Sequence, residues 1–192
     1  GHILTGSNLL ELGNSTINKG TLTYSSGYII GKMRRWFDGT NSGNASGLFP
    51  LAISESGYKN RNVLIEYTTT ASSGGSLTVE WIPSAMGTAG LPILAANTGG
   101  CSFDISTASV EGYWKIDNSV GNLTDGEYKI SLTGEDINTI TDLSKLTLLK
   151  RVGGGNWTAP GTHVTPSGST SIPTVARSGV SGWSNFGFGG GS

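Results

Sequence analysis

The stretch "NVLIEYTTTASSGGSLTVEWIP" (Asn62 to Pro83) contains two alternating runs. Val63, Ile65 and Tyr67 share one side of the first run. Leu77, Val79 and Trp81 share one side of the second, with Thr78, Glu80 and Ile82 opposite. A period of two sends successive side chains to opposite faces, so each run predicts a β-strand with one buried face. The Thr, Ser and Gly residues between the runs have turn chemistry, and the short spacing predicts a hairpin.

The pattern recurs along the chain. "GYWKIDN" (Gly112 to Asn118) and "GEYKISLTG" (Gly126 to Gly134) predict a second strand pair around the loop "NSVGNLTD", with Tyr128, Ile130 and Leu132 on one face. "VARSGVSGWSNFGFGG" (Val175 to Gly190) predicts a last strand or two. In "TGEDINTITDLSKLTLLKR" (Thr133 to Arg151), Asp136, Ile137, Ile140 and Leu143 have helix-like spacing, with Thr133 as a cap, whereas Leu146 and Leu148 alternate. That stretch predicts a turn of helix or a long loop, then a strand at about 145–151. Short strands at this spacing predict an all-β fold, an antiparallel β-sandwich. Its expected core is Ile65, Tyr67, Leu77, Val79, Trp81, Trp114, Ile116, Ile130, Leu132, Leu146, Leu148 and Trp183.

The N-terminal segment reads differently. From Ile3 to Phe37, short apolar runs are separated by Asn, Gly and Ser corners, which a parallel β-helix also shows. Two readings stay open: the last rungs or cap of a β-solenoid, or a hairpin that joins the sandwich. The chain is therefore divided into an N-terminal β segment (1–35) and a sandwich (36–192). If the first segment is a set of rungs, its open face predicts a sticky N-terminal end. Within "GYIIGKMRRWF" (Gly27 to Phe37), strand spacing places Tyr28, Ile30, Lys32, Arg34 and Trp36 on one face. Ile29, Gly31, Met33, Arg35 and Phe37 take the other.

Composition narrows the function classes. The net charge is −1 and only 13% of residues are charged, so the broad basic footprint of a nucleic-acid binder is missing. No apolar run approaches the roughly 18 residues of a spanning helix, so no membrane insertion is expected. Cys101 is the single cysteine, which excludes an intrachain disulfide and a thiolate metal site; it reads as a small buried hydrophobe. The chain opens on Gly rather than Met, as a piece of a longer protein would. Asn14, Asn44, Asn122 and Asn156 stand in Asn-X-Ser/Thr triplets that mark exposed loops.

No catalytic constellation stands out: there is no nucleophile elbow, zinc-protease motif, P-loop or EF-hand, and no cofactor is implied. The carboxylates are scattered and read as solvated turn residues. Asp117, Asp125 and Glu127 gather near one loop and are the candidates for a structural calcium site, with turn chemistry as the competing reading. Sugars stack on exposed aromatic rings. Of the five Trp, Trp157 in "GGGNWTAPG" is the best exposed candidate, and Arg34 with Trp36 on one strand face is the other ligand candidate.

Several phrases, in order, resemble a module of large secreted and surface proteins of Bacteroidetes: "SGYIIGKMRRWF", "GLFPLAISESGYKNRNVLIEYTT", "AGLPI", "GYWKI", "LTLLKR" and "SGWSNFGFGGGS". In such proteins the module follows a repetitive β-rich region and precedes a C-terminal sorting domain for type IX secretion. The resemblance implies an extracellular or outer-surface location and no catalytic residues. The expected function is a non-catalytic structural or adhesive module. The alternative is a carbohydrate-binding module of a polysaccharide-active surface protein. The expected partners are extracellular polysaccharide or other surface proteins.

Overall fold

Alternating runs become strands where one face finds apolar partners. A computed structural model of the chain describes residues 1–38, 47–54, 57–137 and 141–191. The first strands are β1 (His2–Leu12), β2 (Tyr28–Phe37), β3 (Leu48–Phe49), β4 (Ala52–Ile53), β5 (Lys59–Asn60), β6 (Val63–Thr69) and β7 (Gly75–Ile82). Then come β8 (Ile105–Ala108), β9 (Tyr113–Gly121), β10 (Glu127–Thr133), β11 (Leu146–Arg151), β12 (Trp157–Thr158), β13 (Thr162–Gly168), β14 (Pro173–Ser181) and β15 (Asn185–Gly191). The larger sheet has the order β1-β2-β7-β9-β15-β11-β12, with β8 also paired to β15. The second sheet has the order β13-β14-β10-β6-β3, and β4 pairs β5 in a small ribbon. The protein is an all-β sandwich, and its ladders are antiparallel apart from the parallel β1–β2 pair.

The strands lie where the alternation places them, but the two expected hairpins are not hairpins. β6 belongs to the second sheet and β7 to the larger one, so residues 70–74 cross between sheets. Residues 122–126 cross back from β9 to β10. Each crossing buries an apolar side chain, Ala71 in the first and Leu123 in the second, which draws the loop over the end of the core. The two arches also pack on each other. A Cβ at Gly75 would stand 2.3 Å from the Val120 carbonyl oxygen, and one at Gly121 (φ +71°) 2.3 Å from that of Gly74. Turn-forming residues signal that the chain reverses; they do not say whether it turns within a sheet or between two.

The inner faces form one apolar core. Every residue of the expected core is buried except Trp183, which is half-buried and packs against the core edge, its ring stacked on Tyr128 at 4.0 Å. In β2 the face carrying Ile29, Met33, Arg35 and Phe37 is buried, as its spacing requires. β2 pairs β1 on one side and β7 on the other, so residues 35 and 36 lie within a single strand. Among the described residues after Thr133, the helical spacing corresponds to a short 3₁₀ turn, Leu143–Lys145, before β11. Thr133 ends β10 rather than capping that turn; Asp142 caps it instead, accepting from the Ser144 amide. Ile140 lies outside the described residues.

A second apolar cluster joins Cys101, Phe103, Ile105, Ala108, Leu149 and Trp157. Beside it sits Arg177 of β14, fully buried. Its guanidinium donates to the carbonyl oxygens of Leu148 (2.8 Å) and Thr98 (2.8 Å), to Thr147 Oγ1 (3.1 Å) and to Cys101 Sγ (3.4 Å). Among the described residues no carboxylate lies within ion-pair distance of it. Desolvating a cation costs several kcal/mol. Hydrogen bonds from a charged donor contribute about 1.5–3 kcal/mol each, so this set of acceptors offsets that cost.

Removing the guanidinium leaves those acceptors unpaired in the interior. Arg177→Ala is expected to destabilise the fold by about 3 kcal/mol or more. Arg177→Lys, which presents a point charge in place of a planar fork, should recover only part of the loss. Urea denaturation of both variants measures the difference.

Candidate functional site

Trp157 is not exposed. Its indole is 3% accessible, in the second apolar cluster, and lies over the last strand, where a Cβ at Gly187 would come within 3.0 Å of the ring. Nε1–H donates to the Gly87 carbonyl at 2.8 Å, and the Arg151 guanidinium stands 5.9 Å from the ring centre. Its loop position suggested exposure, but pairing with Arg151 in β12 folds the ring inward. No sugar can stack on it.

Arg34 and Trp36 do share a face. Both turn to Glu11 of β1: Trp36 Nε1–H donates to Glu11 Oε1 at 2.7 Å, and Arg34 lies 3.7 Å from the same oxygen. Arg34 Nε–H also donates to Thr78 Oγ1 at 3.1 Å, and Thr78 meets Ser119 Oγ at 2.6 Å. The outer face of the larger sheet thus carries a polar ladder across β1, β2, β7 and β9 that closes on itself. Lys32 with Glu80, and Lys115 with Asp117, continue it. The basic stripe is neutralised by its own sheet.

The three carboxylates near the 118–125 loop do not converge. Asp117 lies on β9, 3.1 Å from Lys115. Asp125 accepts from Ser72 across the arches, and the Ser72 hydroxyl and amide hold its carboxyl below the usual range. Glu127 is exposed on β10, opposite Ser181 and Thr69. Among the described residues no three His, Cys, Asp or Glu side chains gather closely enough to hold a metal ion.

A concavity lies elsewhere among the described residues. An open cleft of about 610 Å³ lies between the loop at 100–103, the turn at 142–144 and strand β13. Its lining includes Ser102, Phe103, Asp142, Ser144, His163 and Thr165. Backbone pairing of the His163 amide with the Gly99 carbonyl (2.7 Å) holds β13 against the loop. Asp142 Oδ1 takes both the Ser144 amide and hydroxyl, at 2.8 and 2.7 Å, which holds its carboxyl below the ordinary range. Phe103 meets His163 edge-on with ring centres 6.3 Å apart, and Lys145 Nζ stands 5.7 Å from the Phe103 ring centre.

His163 Nδ1 lies 3.0 Å from Thr147 Oγ1, which already accepts from Arg177. With a hydrogen and a second lone pair remaining, the Thr147 hydroxyl can either donate to Nδ1 or accept from Nδ1–H. Burial lowers the His163 pKa from the usual value, and the nearby Arg177 charge lowers it further. Cys101, read from sequence as a simple apolar residue, is buried but also accepts from Arg177. Nothing in the spacing of the sequence brings Ser102, Asp142 and His163 together; only the sheet order does.

Comparison of the chain with protein-family models, with curated proteins and with solved structures returned no match. No helix among the described residues is long and apolar enough to cross a membrane.

Substituting the two tryptophans should separate their roles. Trp157→Ala is expected to cost about 3–5 kcal/mol of stability, as for other buried aromatic rings, whereas the half-exposed Trp36→Ala should cost much less. Chemical denaturation reads both. For His163 the folded pKa lies below the unfolded value of about 6.5, so the unfolded state takes the proton first and stability falls as pH drops through about 6.5. His163→Gln should flatten that part of the stability–pH curve, measured by denaturation at stepped pH.

Proposed function

We propose that the chain is a non-catalytic structural or adhesive module of a secreted or outer-surface protein, docked through β1 onto further β-structure. The observation that carries this reading is the edge formed by β1. Among the described residues, the other edges of the two main sheets are guarded. β12 and β3 are two residues long, and β13 carries Pro166 with a register break between Val164 and Ser167. Short edge strands, proline and irregularities are common means of blocking edge-to-edge pairing. β1 is an 11-residue strand with neither Lys nor Pro, although its register also breaks between Leu4 and Leu9. It exposes Ile3 (51%), Leu4 (68%) and Leu9 (36%). Its parallel register sets Ile3 beside Ile29, Leu4 beside Ile30 and Leu10 beside Met33, as rungs of a stacked array do, while Leu9, Glu11 and Leu12 lie beside Lys32, Arg34 and Arg35. The resemblance to modules that follow repetitive β-rich regions supports the same reading and the surface location.

Analytical ultracentrifugation tests the edge. The chain is expected to self-associate over about a hundredfold rise in concentration. Leu4→Lys with Leu9→Lys should abolish that association while leaving the melting temperature nearly unchanged. A wild-type chain that stays monomeric throughout, or association indifferent to the lysines, would contradict the docking role. Release of products from any polysaccharide by the purified chain would contradict the non-catalytic one.

A further inference from the structure

We infer that β1 pairs antiparallel with β1 of a second copy of this chain, across a two-fold axis perpendicular to the larger sheet. The inference rests on the reading of β1 as a docking edge and names its partner. An edge strand offers unpaired N–H and C=O groups to any strand that approaches it. Two symmetric orientations bring one β1 against another. An axis along the strands turns one sheet over and sets the core face of one copy beside the solvent face of the other. An axis perpendicular to the sheet keeps both core faces on one side and runs the two strands antiparallel. Only the second continues the sandwich from copy to copy.

In that orientation β1 is complementary to itself. Read inward from its ends, His2 meets Glu11 of the other copy, Ile3 meets Leu10 and Leu4 meets Leu9. The faces agree. His2, Leu4, Leu9 and Glu11 lie beside Tyr28, Ile30, Lys32 and Arg34 on the solvent face, whereas Ile3 and Leu10 lie beside the buried Ile29 and Met33 on the core face. The spacing agrees as well. The β2 neighbours of each pair, Tyr28 with Arg34, Ile29 with Met33 and Ile30 with Lys32, are all centred on Gly31, so the three pairs form together. The register break between Leu4 and Leu9 makes this possible, because strict alternation would send those two leucines to opposite faces. The break falls on the axis, at the small residues Gly6 and Ser7, and a Cβ at Gly6 would meet nothing within 4 Å. The pairing covers Ile3, Leu4 and Leu9, the exposed apolar side chains of the edge. Glu11 uses Oε1 for Trp36 and Arg34, so Oε2 remains to accept from the imidazole of His2, whose stacking on Tyr58 occupies a ring face and not the nitrogens at its rim. Opposite charges and apolar pairs placed directly across antiparallel strands are the units that stabilise a sheet. The contact uses the same strand on both copies, so it closes at the dimer.

Disulfide trapping tests orientation and register together. His2→Cys and Glu11→Cys chains are oxidised alone and as an equal mixture; Cys101 is buried and stays in place. In the mixture the two introduced thiols are expected within the roughly 7 Å Cα separation that a disulfide can bridge, giving a covalent dimer. Either variant alone should stay uncrosslinked, because the β2 neighbours Tyr28 and Arg34 are six residues apart and like positions therefore about 20 Å. Sedimentation of the unsubstituted chain should show monomer and dimer and nothing larger. His2→Glu, which sets carboxylate against carboxylate, should weaken the dimer about fivefold, and His2→Gln by less than about twofold. The inference is overturned by cross-linking of either cysteine variant with itself, by no cross-linking in the mixture, by assemblies beyond the dimer, or by His2→Glu no weaker than His2→Gln. If Leu4→Lys with Leu9→Lys still abolishes association in those cases, β1 stands as the docking edge and this pairing falls alone. A chain monomeric at every concentration overturns both.

Discussion

The fold turns on one buried cation. Arg177 leaves β14 in one sheet and ends on Leu148 and Thr147 of β11 in the other, with the Thr98–Cys101 loop closing around it. An apolar side chain there could fill the space but could not specify where the two sheets meet, because van der Waals contact tolerates sliding. A planar donor fork with several carbonyl acceptors does not tolerate it. Burial pulls the guanidinium pKa down, while the Cys101 sulfur acts in the opposite sense. The same group donates to Thr147 Oγ1, which meets His163 Nδ1 at 3.0 Å. One set of hydrogen bonds therefore runs from the seam to the cleft beside it.

On the outer face of the larger sheet, charge is handled by short-range pairing on the solvent side. Glu11 satisfies both Trp36 and Arg34, and Thr78 and Ser119 extend the ladder over β7 and β9. Exposed pairs of this kind contribute about 0–1 kcal/mol each, so they add little stability. Their effect is on recognition: a stripe that looks basic in sequence presents no unopposed positive field. The sheet edges, not its face, are left as the means of contact with other β-structure.

Much of this was legible from residue order. Alternation located β6, β7, β9, β10 and β11 within a residue or two at most ends, and it sorted β2 correctly into a buried and an exposed face. It failed at the connections, because the Ser/Gly/Thr run at 70–74 carries the same turn signal whether the chain pairs back or crosses the core. It failed at Trp157 for a related reason. The glycines around that ring suggested an exposed loop, while the residue that makes room for it, Gly187, lies 30 positions away in the last strand. The cleft was invisible, since Ser102, Asp142 and His163 come from three distant segments with no spacing rule between them. His163 alone carried a signal, as one of only two histidines, and that signal said nothing about its neighbours.

The position of β15 has a consequence in time. The strand closest to the C-terminus lies in the interior of its sheet, between β9 and β11, and also receives β8. Until its residues have been synthesised, β9 and β11 have no neighbour to join them, and the larger sheet exists only as two unconnected parts. The crossings at 70–74 and 122–126 add to this by replacing local hairpins with pairings between segments far apart in the chain, which slows folding. A nascent chain of this design cannot complete its sandwich on the ribosome before its last strand emerges, and any chain cut short of Asn185 lacks the strand that unites its larger sheet.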